Sequence, residues 1–160
     1  MEEEIRQYEA QNKTGNKVLD TVLTTKSLYC NKHGITFTCM ADGTLLDFMD
    51  VMDICSIFGN ALDNASTSAE KVENPERRLI HVTVSQEKSF LRIKIENSFQ
   101  GVLKMKNQLP ITTKEDRRYH GFGLKSMKEI AEKYKGSMTV SAKDGWFELR
   151  ILIPLPESEK

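Results

Sequence analysis

The chain has 160 residues, and its 23 Lys+Arg balance 23 Asp+Glu, for a net charge of zero at pH 7. That length supports one domain with a real hydrophobic core, and the even charge argues against a dedicated nucleic-acid binder, which carries a basic excess. No apolar run approaches the roughly 18 residues that span a bilayer, and the acidic start "MEEEIRQYEAQ" has no signal-peptide pattern.

Residues 1–13 are polar and helix-compatible but lack an apolar stripe, as expected of the end of an upstream helix or a linker. In "TGNKVLDTVLTTKSLYCNKHG", Val18, Leu19, Val22 and Leu23 recur at helical spacing, and Lys32, His33 and Gly34 are the chemistry of a helix C-terminus. "ITFTCM" (35–40) alternates as a half-buried strand. A helix over 50–70 follows, with Ile54, Ile57, Phe58, Ala61, Leu62 and Ala65 as its buried stripe, until Pro75 breaks the pattern. Two strands come next: Ile80, Val82 and Val84 share one face, then Leu91, Ile93 and Ile95, with Arg92, Lys94 and Glu96 opposite.

Residues 97–122 are polar, basic and poorly periodic, and a loop this long in a compact domain is often a functional lid. A helix resumes near Leu124 and ends with Gly136 as its expected C′ residue. The chain closes on a hairpin through "KDG", with Phe147, Leu149, Ile151 and Ile153 on one face. The three cysteines form no CxxC pair and no metal-spaced cluster; they read as reduced thiols, Cys39 and Cys55 as small core residues. The order of amphipathic helices and one-faced strands predicts a two-layer α/β sandwich, a mixed sheet covered on one face by helices.

Three constellations could carry chemistry. Asn60 and Asn64, one turn apart in "FGNALDNA", place two neutral amide oxygens on one flank beside the apolar stripe. Magnesium takes oxygen ligands and keeps several waters while bridging nucleotide phosphates, so such a pair fits that role. A solvated helix flank also fits it. Gly121 and Gly123 in "HGFGL" precede a helix, where backbone N–H groups and the helix dipole favour an anion, as an ordinary glycine-rich turn would equally provide. Asn97 ends a strand and offers both a donor and an acceptor, which an adenine edge requires; a turn-initiating Asn-Ser is the plain alternative.

Taken in order, NxxxNA on a helix, two strands, a strand-end polar residue, a basic lid, GxGL opening a helix and a final hairpin resemble the GHKL (Bergerat-fold) ATP-binding domain of gyrase, MutL and histidine kinases. The resemblance runs from about residue 14 to 155. Its finer flavour is similar to the AgrC-like peptide quorum-sensing kinases, in "TGNKVLDTVLTTK", "GITF", "FGNALDNA", Asn-Ser after the third strand and "TTKEDRRYHGFGLKSM". Two departures stand out. Where most histidine kinases have DxGxG, this chain has Asn97-Ser98-Phe99, an asparagine that the AgrC-like group shares. Thr67 replaces an acidic residue after the asparagine box.

The resemblance implies an ATP-binding catalytic domain over 14–156, the end of a dimerisation helix or linker over 1–13 and a polar tail over 157–160. It implies ATP and Mg²⁺ as cofactors. Asn64, with Asn60 alongside, would hold the metal; Asn97 would hold the adenine amino group; Gly121, Gly123 and Leu124 would cradle phosphates with backbone amides. Lys114 would pair with the terminal phosphate, and His120 would also reach a phosphate. Hydrolytic members keep a glutamate one turn before the metal-binding asparagine; here that position is Asn60, a poor general base. The site therefore reads as one that delivers phosphate to a protein histidine and not to water. No histidine lies in residues 1–13, while His33 reads as a helix-end residue and His81 as a strand residue.

The expected partners are the histidine-bearing dimerisation helices of the same receptor and a downstream response regulator, with no nucleic acid. The expected setting is a cytoplasmic domain of a homodimeric membrane receptor. Two other readings stand beside it: a GHKL-fold nucleotide-binding regulatory domain without productive transfer, and a non-enzymatic α/β interaction module.

Overall fold

The computed structural model describes residues 13–101, 105 and 106, 109 and 110, and 122–157. Helix α1 (Lys17–Lys32) starts where Asn16 caps it, its Oδ1 accepting from Leu19 N at 3.0 Å. It buries Leu19, Leu23, Thr24, Ser27 and Cys30, while Val18 and Val22 only flank the core. Gly34 ends it with φ +70, and Ile35 N donates to Cys30 O at 2.9 Å, so the glycine takes the left-handed position that L-residues disfavour. Strand β1 (Thr36–Ala41) and a 3₁₀ turn (Gly43–Leu46) lead to helix α2 (Val51–Glu70). The predicted stripe of α2 is buried as expected, and Ser66 and Ala69 extend it.

After a short 3₁₀ turn at Pro75–Arg77, strands β2 (Leu79–Glu87) and β3 (Phe90–Ser98) form a hairpin. Two-residue strands β4 (Met105–Lys106) and β5 (Leu109–Pro110) pair with each other. Helix α3 (Phe122–Lys133) begins two residues before the expected Leu124. Strands β6 (Ser137–Lys143) and β7 (Trp146–Pro154) close the chain across a turn in which Asp144 and Gly145 both have positive φ, as a tight hairpin requires.

The main sheet has the order β1-β2-β3-β7-β6, with β1 parallel to β2 and every other pair antiparallel. One face carries Ile80, Val82, Val84, Leu91, Ile93, Ile95, Leu149, Ile151 and Ile153, all buried under the helices. This is the expected mixed sheet in two layers. The opposite face is polar, with Lys94 beside Glu96 and Arg150 beside Glu148.

Two expectations are corrected. Cys30, not Cys55, is the fully buried thiol: Cys55 falls off the Ile54–Phe58–Ala61 stripe and is exposed. Cys39 is half-buried, and burial pushes its thiol up to about 11. Lys135, with φ +64, holds the C′ position after α3, and Gly136 is one residue further on. Gly136 is a glycine for space: a Cβ there would lie 2.2 Å from Leu152 O.

Candidate functional site

The amide pair of α2 lies on a flank of the helix that is neither core nor open. Asn60 and Asn64 are both half-buried, and the intervening Asp63 is exposed and paired with Lys26 across to α1. Asn60 turns its NH₂ back along its own helix, Nδ2 donating to Ser56 O at 2.7 Å. A Cβ built on Gly123 would stand 3.4 Å from Asn60 Cβ, Cγ and Oδ1. The first turn of α3 therefore rests on the Asn60 carboxamide, and the oxygen of that group faces the turn.

Helix α3 contributes its N-terminus here. The first N–H groups of a helix have no intrahelical partner, and the macrodipole places partial positive charge on them. Gly123 and Leu124 belong to that turn. The Leu124 side chain is buried in the core, so this residue has only its backbone to offer a ligand. Lys114, His120 and Gly121 lie outside the described residues.

Asn97 continues the inward alternation of Leu91, Ile93 and Ile95, so it points to the helix-covered side of the sheet. It is 2% exposed, a degree of burial the end of the apolar pattern did not foretell. Its Nδ2 donates to Ser98 O at 2.9 Å, which leaves Oδ1 as the group able to accept from a ligand. Ser98 faces the other way, its Oγ accepting from Leu79 N at 2.9 Å. A cavity of about 390 Å³ opens at this end of the sheet, lined by residues including Val72, Arg77, Leu79, Ser98, Phe99 and Trp146. It adjoins Asn97 in sequence but contains none of the predicted site residues.

Reasoning from sequence missed several residues. Ser56 fixes the Asn60 amide. Gly101, four residues past Asn97, has φ +100, and a glycine at that spacing was the available signal. The histidines read as helix-end and strand residues both stack on an aromatic ring. His33 stacks on Tyr29 at 3.9 Å, and His81 stacks on Trp146 at 5.4 Å. The Tyr29 hydroxyl donates to Glu70, which pushes Tyr29 up to about 12.

The two amides are neutral oxygen donors, the kind that fits a magnesium ion keeping several waters. Among the described residues, no group of three His, Cys, Asp or Glu could cage a metal ion. Neutral amide oxygens beside a helix N-terminus suit a cation that arrives with phosphates.

Fold and site together define a class: two-layer α/β domains in which a polar helix flank faces the N-terminus of a second helix. The GHKL domain family matches residues 49–154, and the chain belongs to that family. Its fold is similar to the nucleotide-free catalytic domain of the histidine kinase ThkA, with a TM-score of 0.66 and 21% identity over 88% of this chain and 94% of that one. A second nucleotide-free form of that domain gives a TM-score of 0.68 and 22% identity, over 89% and 95%. Acinetobacter baumannii histidine kinase AdeS gives a TM-score of 0.56 and 16% identity, over 88% of this chain and 64% of that one. No curated protein matches the chain in sequence. Among the described residues, no helix is long and apolar enough to cross a membrane.

Proposed function

We propose that this chain is the ATP-binding catalytic domain of a sensor histidine kinase, of the AgrC-like quorum-sensing kind. It binds Mg-ATP and passes the γ-phosphate to a histidine on the dimerisation helices of its own receptor, in a two-component pathway that ends on a response regulator. The observation that carries the reading is the packing of the Asn60 carboxamide against Gly123. It brings the two most specific sequence signals, the NxxxN flank and the GxGL helix start, into contact. Membership of the GHKL family supports the nucleotide, and the fold shared with histidine kinase catalytic domains supports the acceptor.

In this reading Asn64 and Asn60 hold Mg²⁺, and Oδ1 of Asn97 accepts from the adenine amino group. Backbone amides of Gly121, Gly123 and Leu124 hold phosphate oxygens, and Lys114 and His120 add charge and a donor. Bound Mg-ATP supplies the phosphoryl group, and transfer of it is mostly a matter of positioning and charge stabilisation. Asn60 has no basic oxygen to take a proton from water, so hydrolysis is disfavoured relative to transfer.

Calorimetric titration with Mg-ATP tests this. Mg-dependent binding is expected, and Asn64→Ala should weaken it by about 1–3 kcal/mol, the usual cost of losing a buried polar partner, with an unchanged melting temperature. With γ-labelled ATP the chain alone should acquire no acid-labile label yet should label an added histidine-bearing helical domain. Equal affinity in Asn64→Ala would remove the metal role. Binding without transfer to any such domain would favour the regulatory-domain reading.

A further inference from the structure

The pair α2–α3 has a second joint, far from Asn60 and Gly123. Tyr134, the residue after α3, donates its hydroxyl to Asp53 Oδ2 at 2.5 Å and accepts from Asp50 N at 2.9 Å. Asp50 is the N-cap of α2 and makes no side-chain cap bond; its own N–H, which has no partner inside the helix, donates to the tyrosine oxygen. Lys133 adds Nζ contacts of 2.7 Å to Asp53 and 3.3 Å to Asp50. The Tyr134 ring packs edge-on against Phe48, with centroids 5.8 Å apart. Asp53 is well covered, its side chain 13% exposed, whereas that of Lys133 is 53% exposed. Partial burial pushes the Asp53 carboxyl up, and hydrogen bonds from Lys133 and Tyr134 outweigh that and hold it below the ordinary range.

The two helices run in opposite senses. Going from Asp53 to Asn60 advances about 10 Å along α2, at roughly 1.5 Å per residue. Going from Tyr134 back to Gly123 covers α3 almost end to end. The pair therefore meets at both ends, with Leu124, Met127 and Ala131 of α3 buried in the core between them.

We infer that Tyr134 and Asp53 are positioning residues for the nucleotide site, fixing the tail of α3 on the head of α2 so that the first turn of α3 meets Asn60 at ligand-binding distance. The inference rests on the nucleotide reading above, since it names what the joint positions. Tyr134 acts through both bonds of its oxygen, and the ring contact with Phe48 survives their loss. The exposed Lys133 pair is secondary, as exposed ion pairs are worth little.

The test compares Tyr134→Phe, Asp53→Ala and Lys133→Met with the parent, by Mg-ATP titration and by the amide resonances of Gly123 and Asn60 without nucleotide. Tyr134→Phe should weaken binding about fivefold, in the range of couplings carried by packed networks, and should shift both resonances. Lys133→Met should stay within about twofold. If Tyr134→Phe loses its fold, Asp53→Ala, which removes the acceptor of the tyrosine hydroxyl, is read in its place. A parent that binds Mg-ATP and a folded variant that binds equally, with unmoved resonances, would overturn the positioning role. A parent that binds no nucleotide would defeat the functional reading instead; the resonances, which need no ligand, would still decide whether the joint sets the Asn60–Gly123 contact.

Discussion

At one end of the α2–α3 pair, Gly123 leaves room for a carboxamide, and the polar groups are neutral amides. At the other end, Tyr134 fills the space between the helices, and its oxygen meets a carboxylate and a helix N-cap within hydrogen-bond distance. The same two helices thus carry one joint closed by side-chain hydrogen bonds and an ion pair, and another in which a carboxamide rests against a glycine. The difference teaches where to look for ligands. The first kind of joint holds structure; the second sets a neutral amide against the first turn of a helix, surroundings that favour an anion.

Three measurements would break or sharpen that contrast. The largest effect belongs to Ile57, fully buried on α2 between the two joints. Ile57→Ala should lower unfolding stability by about 2–5 kcal/mol in urea denaturation, the range for deleting a buried aliphatic side chain. It should weaken both joints together; a loss confined to one would mean that α2 does not couple them.

Asn97 comes next. Asn97→Ala should weaken adenine-nucleotide binding by about 1–3 kcal/mol, and Asn97→Asp should cost less because an acceptor oxygen remains. Equal losses from the two, or none from alanine, would take Asn97 out of the ligand end.

The smallest effect is pH-dependent. Because the carboxyl of Asp53 is held below the ordinary aspartate value of about 3.9, its contribution to stability is fully present above that value. It is lost as pH falls through the lowered folded value. Asp53→Asn should therefore cost about 1 kcal/mol at pH 7, and the gap to the parent should narrow as pH drops below about 4. A gap constant from pH 7 to pH 3 would show that the charge of Asp53 does not hold the joint.

Much of the fold was legible because its periodicities are clean. "FLRIKIE" alternates strictly, and the inward set it marks is the buried one. The stripe of α2 was equally plain, and the same stripe should have marked Cys55 as exposed. Helix ends were harder. "HG" and "KG" read alike, yet Gly34 is left-handed, whereas Gly136 is a glycine because Leu152 O lies against it. That contact comes from β7, which local sequence cannot place. At the site, the Asn60–Asn64 spacing and the GxGL start were visible as local patterns. The burial of Asn97 required knowing that the inward face of β3 continues past Ile95. The Asp53–Tyr134 joint was invisible, because its partners are 81 positions apart and neither belongs to a motif.

The bond from Asp50 N to the Tyr134 oxygen makes one amide proton a gauge of the whole helix pair. That proton is held while the tyrosine bond is made, so its exchange with solvent deuterium should slow as the bond becomes more persistent. Thermodynamic linkage then runs in both directions: whatever a bound ligand adds to the cohesion of the helices, the exchange rate at Asp50 records as slowing. A single resonance at the start of α2 thus reports how long the tyrosine bond stays open.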